Sequence, residues 1–209
     1  MHFRRSKHII SIMKKLLAEF IGTFILTLTV YLSADSNGQL LIPTPVLAAL
    51  ALTLFVFILG GISGCHLNPA VTIGLWTLKK IDKSLAIKYI AVQLLAGFIV
   101  FLLNRRLDFG TDFYLLAPTD LIFEFLGMIV FTFGISSVVH KTTPEFLSGF
   151  IVGGSLLLGI IISILGNGEG ILNPAVTLGL GVIRIEYYLL QIVGSVVGFQ
   201  LYKYLSSEK

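Results

Sequence analysis

Charge is what this 209-residue sequence has least of. Lysine and arginine number 15 and aspartate and glutamate 11, so 12% of the chain is charged, against about a quarter in a soluble domain. Hydrophobic residues reach 56% and the mean hydropathy is +0.94. That excludes intrinsic disorder, which needs low hydrophobicity and high charge density. The single cysteine excludes a disulfide framework, and no Cys/His cluster has metal-ligand spacing. A net charge of +4 spread over so apolar a chain argues against a soluble nucleic-acid binder. No nucleophile–base set or cofactor motif appears, so neither an enzyme nor a cofactor is expected. The composition is that of an integral membrane protein.

Apolar stretches lie at roughly 13–33, 43–61, 84–103, 118–139, 146–166 and 186–205, each near the ~20 residues that cross a hydrocarbon core. Two more, 68–78 and 173–183, are too short to span and read as re-entrant half-helices. The expected fold is all-α, with six membrane helices and two half-helices. Basic residues set its orientation. Arg4, Arg5, Lys7, Lys14, Lys15, Lys79, Lys80, Lys83, Lys88, Lys141, Lys203 and Lys209 fall on one side, against Arg105, Arg106 and Arg184 on the other. The positive-inside bias therefore puts both termini in the cytoplasm. Residues 1–12 are a basic extension with no small-residue cleavage site, so no cleaved signal is expected, and Met13 is an alternative start. Residues 104–117 form the longest linker and separate a first repeat, 13–103, from a second, 118–205, with 206–209 as a tail.

The halves repeat each other. Glu19-Phe20-Ile21-Gly22 returns as Glu124-Phe125-Leu126-Gly127, 105 positions on, and His66-Leu67-Asn68-Pro69-Ala70-Val71-Thr72 returns at the same offset as Ile171-Leu172-Asn173-Pro174-Ala175-Val176-Thr177. Gln93 is echoed by Gln191 with a seven-residue slip. Three spans separate equivalent points, an odd number, so the second half enters from the opposite face and the repeat is inverted. The half-helices then meet near the midplane, where irregular backbone survives only if buried in protein or lining a wet cavity.

The twin Asn-Pro-Ala motifs, with Ala18-Glu19-Phe20-Ile21-Gly22-Thr23-Phe24 in the first span, resemble the aquaporin (major intrinsic protein) family, and the resemblance extends from Met13 to Tyr204. The residue chemistry is coherent by itself. Pro69 and Pro174 suit the first helical position. Asn68 and Asn173 suit the N-cap, their side-chain oxygens taking free helical N–H groups and their NH₂ groups left to donate into a lumen. Two opposed helix N-termini repel cations at the centre. Ala70 and Ala175 complete the motifs. The resemblance implies that Glu19 and Glu124 brace the re-entrant loops, with a proton relay as the sharper alternative. His66 is read as ordering its loop, with a pH gate as alternative. Gln93 and Gln191 are read as bridging helices, and Gly22, Gly64, Gly74, Gly127 and Gly179 as permitting close crossings. Cys65 is either a small buried hydrophobe or a pore-lining thiol.

The sequence departs from the family at the constriction. Where an arginine typically follows the second Asn-Pro-Ala, this chain has Val176. Family spacing puts the other filter positions at Ala48, Ile161 and Gly170. An apolar filter without arginine loses a fixed positive charge and several donors, leaving cation exclusion to the half-helix dipoles. A wide apolar ring passes larger neutral solutes, whereas a narrow one dewets and gates. Glu169 at the outer mouth restores some polarity. Thr177 stands where glycerol-conducting members usually have Asp, and Tyr187-Tyr188 resembles the aromatic pair of water channels. The expected function is a passive channel for water and small neutral solutes, among them glycerol, ammonia and dissolved gases. By resemblance it is a homotetramer surrounded by membrane lipid in a bacterial or archaeal plasma membrane, with no nucleic-acid partner. The alternatives are a secondary transporter and a non-conducting structural member of the same fold.

Overall fold

The computed structural model describes residues 2–34, 41–107 and 121–206, and within them every regular element is helical. In chain order these are α1 (His2–Ala34), α2 (Thr44–Ser63), α3 (Pro69–Thr77), α4 (Lys83–Leu107), α5 (Leu121–Val139), α6 (Ser148–Leu165), α7 (Pro174–Gly179) and α8 (Ile185–Ser206), with a short 3₁₀ turn, Glu145–Leu147, leading into α6. Six are long and two are short. Five of the long ones, α1, α2, α4, α5 and α6, combine the length and apolarity of a membrane span. Helix α8, at 22 residues, has the length but less apolarity than the six alike spans expected. It turns polar groups inward: Tyr187 and Gln191 are fully buried, and Gln200 Nε2 donates to Thr77 Oγ1 at 3.3 Å.

The four helices of the second half repeat the four of the first in order and length class. Each half-helix leans on the other half, α3 on α8 and α7 on α4. These contacts need bare backbone. A Cβ on Gly97 of α4 would run into the Ala175 carbonyl of α7. At the crossing of α5 and α6, a Cβ on Gly127 or on Gly159 would run into the other's carbonyl. The outward side of α2 carries exposed Leu50, Leu54, Phe57 and Ile58, an apolar surface suited to lipid or to another apolar helix.

Several boundaries differ from the sequence reading. Helix α1 begins at His2, so residues 2–12 are helical and run without a break into the first span, whose apolar stretch starts at Ile9. Helix α4 runs to Leu107, so the start of the expected 104–117 linker is helical and the rest lies outside the described residues, as do residues 207–209. The second half-helix stops at Gly179, short of 183. Gly181, at φ 79°, turns the chain there, and Val182 N donates back to Thr177 O at 3.1 Å, a left-handed glycine cap.

Candidate functional site

Each half-helix starts where a proline and an asparagine cooperate. Asn68 (φ −155°, ψ 120°) and Asn173 (φ −153°, ψ 114°) are extended N-caps, each followed by proline. Asn68 Oδ1 accepts from Ala70 N at 2.9 Å and Val71 N at 3.3 Å, and Asn173 Oδ1 accepts from Ala175 N at 3.0 Å. The amides reach across the pseudo-twofold axis. Asn68 Nδ2 donates to Leu172 O at 2.9 Å, and Asn173 Nδ2 donates to Leu67 O at 3.0 Å. One hydrogen of each NH₂ is thus committed to the opposite loop, which leaves one for the lumen. Leu67 (φ 47°) and Leu172 (φ 50°) hold left-handed backbone to present those carbonyls, a strain that the interlocked loops must maintain.

Two buried carboxylates hold the loops from behind. Glu19 Oε1 accepts from Ser63 Oγ (2.6 Å) and His66 N (3.0 Å), and Oε2 accepts from Leu67 N (2.8 Å) and Gln93 Nε2 (2.8 Å). Glu124 Oε2 accepts from Ser163 Oγ (2.6 Å) and Gly170 N (2.9 Å), and Oε1 accepts from Ile171 N and Leu172 N, both at 2.9 Å. Both residues are fully buried. Gln93 also donates to Thr72 Oγ1, and Gln191 to Thr177 Oγ1, each at 3.0 Å. His66 stands against the Tyr89 ring at 5.1 Å between centroids, with Nδ1 3.2 Å from Thr72 Oγ1. Tyr89 donates to Ser63 O at 2.7 Å.

Two cavities flank this junction. The larger, about 200 Å³, descends from Thr44, Pro45 and Glu169 past Ala48, Gly170 and Val176 to Asn68, Asn173 and His66. The smaller, about 80 Å³, continues toward the end that carries the termini, between Gly64, Cys65, Val71, Leu75 and the end of α5. Leu52, His66 and Phe131 line both. Cys65 (φ 52°) and Gly170 (φ 68°), equivalent positions of the repeat, hold the same left-handed conformation on opposite cavities. Glu19 and Glu124 line neither cavity.

Ala48, Gly170 and Val176 therefore share one wall with the two asparagines, and Cys65 sits on the other cavity. The expectation for Ile161 does not hold. That residue is 41% exposed on the outer flank of α6, whereas Ile160, 5% exposed, lines the larger cavity together with Ile164. One residue is about 100° of helical rotation, enough to exchange cavity for lipid. Pro69, Ala70, Pro174 and Ala175 are buried in the half-helices. Sequence reasoning missed the hydroxyls of Ser63 and Ser163, one on each carboxylate. They lie 100 positions apart, not 105, so the repeat did not expose them.

The family described as Major intrinsic protein (MIP) matches residues 5–205. The chain is 33% identical to aquaporin AqpM of Methanothermobacter marburgensis, over 95% of this chain and 100% of that protein. It is 32% identical to nodulin-26 of Glycine max, over 95% and 81%. It is 31% identical to glycerol uptake facilitator protein-like 6 of Lactiplantibacillus plantarum, over 80% and 82%. In fold it is similar to the X-ray structure of the aquaglyceroporin from Plasmodium falciparum, at TM-score 0.64 and 22% identity, covering 91% of this chain and 93% of that one.

Proposed function

The chain belongs to the major intrinsic protein family, an integral membrane channel for water or small solutes and not an enzyme, and from that premise we propose that solutes pass between its two Asn-Pro-Ala motifs. The observation that carries this reading is that two cavities on either side of the junction share Leu52, His66 and Phe131 in their walls, the larger of them also lined by Asn68 and Asn173. A neutral solute entering past Glu169 sheds water against the apolar ring of Ala48, Ile160, Gly170 and Val176. It then exchanges hydrogen bonds with the free NH₂ hydrogens of the asparagines and leaves past His66 and Cys65. A cation loses its hydration in the same ring and meets two opposed helix N-termini.

The solutes we propose are water and small neutral molecules up to the size of glycerol, with ammonia and dissolved gases also compatible with an apolar wall. Names such as aquaporin and glycerol uptake facilitator among the relatives support both ends of that range. We further propose a homotetramer in a plasma membrane with both termini cytoplasmic. A side chain added at Gly60, Gly61 or Gly154 would meet nothing within 4 Å, so the surfaces of α2 and α6 have room for a second copy. A proton relay through Glu19 and Glu124 gains no support, since neither carboxylate faces a cavity. A secondary transporter would need a buried coupling group on the path, and the same observation weighs against it.

Stopped-flow light scattering on proteoliposomes tests the reading. Water efflux clearly faster than in empty vesicles, followed by rapid re-swelling in glycerol, is the expected result. Rates equal to empty vesicles, with folded insertion verified, would overturn it.

Glu169 yields a further expectation. Burial, and then the charge of Glu124, push its carboxyl above the usual carboxylate value. It is neutral below that raised value and an anion above it. Any residual potassium leak should therefore rise about threefold to fivefold as pH climbs through that range, the effect of one partly screened charge at the mouth. Glu169→Gln should flatten the profile. A leak with the same pH dependence in both proteins would remove Glu169 from the path.

A further inference from the structure

The connection from α3 to α4 forms a recess separate from the pore. It is an open surface depression of about 350 Å³, lined by Trp76, Lys79, Lys80, Ile81, Asp82 and Lys83. Six crossings return the chain to its starting side, and this connection lies at that same end of the molecule as both termini. The bond from Gln200 to Thr77 ties the end of α3 to α8 there.

Three lysines line the recess, and the one carboxylate among its lining residues has another task. Asp82 Oδ1 accepts from Leu85 N at 3.0 Å, and Asp82 O accepts from Ala86 N at 2.9 Å, so Asp82 caps α4. Among the residues that line the recess, three lysines stand against the single carboxylate of Asp82, so the recess carries a net positive charge. The position of Lys79 is also unusual. It closes α3 at φ 59°, with Lys79 N donating to Trp76 O and Lys80 N to Leu75 O, both at 2.9 Å. At the corresponding cap of α7 the chain uses Gly181 at φ 79°, the residue for which left-handed backbone is sterically free. The first repeat thus carries a lysine in a conformation that favours glycine.

The surroundings point to the kind of anion that the recess suits. Trp76 is 42% exposed, and Ile87, one turn into α4, is also exposed. An indole beside exposed aliphatic surface is the signature of the membrane–water boundary. A basic recess at that boundary matches a phosphate whose acyl chains continue along the apolar flank. We propose that this recess seats the phosphate of an anionic lipid headgroup, held by Lys79, Lys80 and Lys83 with its chains against Trp76 and Ile87.

Trp76 is the chain's only tryptophan, so its fluorescence reports on the recess directly. The full chain is reconstituted in phosphatidylcholine vesicles, with either phosphatidylglycerol or phosphatidylcholine brominated in the acyl chains. Brominated phosphatidylglycerol should quench with a relative affinity at least about tenfold higher, since each lysine near the surface contributes about fivefold. Lys79→Gly, which suits the backbone and so keeps the fold, should lower that preference about fivefold. The variant carrying Lys79→Gly, Lys80→Gln and Lys83→Gln should lose it. Lys203→Gln, on the same face but outside the recess, should leave it intact, and millimolar inorganic phosphate should not displace the lipid. Equal quenching by both lipids overturns the proposal. So does a preference that survives the triple variant or falls equally with Lys203→Gln. Displacement by inorganic phosphate would assign the recess to a soluble anion and equally contradict the lipid assignment.

Discussion

Glu124→Ala should leave little folded channel. Its carboxylate is the shared acceptor for Ser163 Oγ and for three consecutive backbone N–H groups, those of Gly170, Ile171 and Leu172. Backbone donors cannot rotate to new partners, and the site is fully buried. Each buried donor left unpaired costs about 1–3 kcal/mol. Gly170 N keeps Ser163 Oγ as an acceptor at 3.0 Å, so the N–H groups of Ile171 and Leu172 are the ones left unpaired, a loss that reaches the lower end of the ~5–15 kcal/mol that separates folded from unfolded chains. The loop they hold carries Asn173, so local failure there opens the pore as well as weakening the fold. Glu19→Ala should be damaging to a similar degree, since it strips His66 N and Leu67 N of their acceptor while Gln93 keeps Thr72. Size-exclusion profiles and thermal unfolding in detergent read both variants. A midpoint for Glu124→Ala within a few degrees of the parent would show that the loops hold themselves.

The second large effect concerns what passes. Ala48→Phe combined with Val176→Arg fills the ring above the asparagines with a planar side chain and a fixed cation. Both positions are closely packed, at 4% and 3% exposure, and both face the 200 Å³ cavity. The added bulk comes out of the space a solute needs, while guanidinium donors give water new partners. Glycerol flux should fall by at least about tenfold, the scale on which a pocket discriminates by size, while water flux stays within a few-fold of the parent. Vesicle re-swelling in glycerol against shrinkage in sucrose separates the two rates. An unchanged ratio of glycerol to water flux would mean that this ring does not select.

Sequence and structure agree most closely where a residue has one use. Asn-Pro reads as a helix start because no common alternative satisfies both residues, and the 105-residue offset repeats at sites too specific for coincidence. Glu19 and Glu124 stand out because a carboxylate in an apolar run needs a reason. Other features depend on three-dimensional angle or on partners distant in sequence. Whether Ile160 or Ile161 faces the cavity depends on the rotation of α6, which a run of isoleucines does not report. The crossed bonds from Asn68 to Leu172 O and from Asn173 to Leu67 O need both loops at once, so the sequence showed the amides as free. The early stop of α7 follows from the left-handed turn at Gly181, which an apolar run reaching to 183 does not report. The lower apolarity of α8 comes from polar side chains that face inward, which composition alone counts as exposed.

The most direct test of the pore assignment uses the chain's single cysteine. Cys65 is 6% exposed and lines the smaller cavity next to His66, beyond the ring and the asparagines. A small methanethiosulfonate reagent attached there occupies a space of about 80 Å³. Osmotic water flux in proteoliposomes is measured before and after labelling, in the parent chain and in Cys65→Ser, with the extent of modification read by mass. If solutes travel between the two Asn-Pro-Ala motifs, the labelled parent loses most of its flux, reducing agent restores it, and Cys65→Ser is indifferent to the reagent. Full labelling with undiminished flux would mean that the path runs elsewhere.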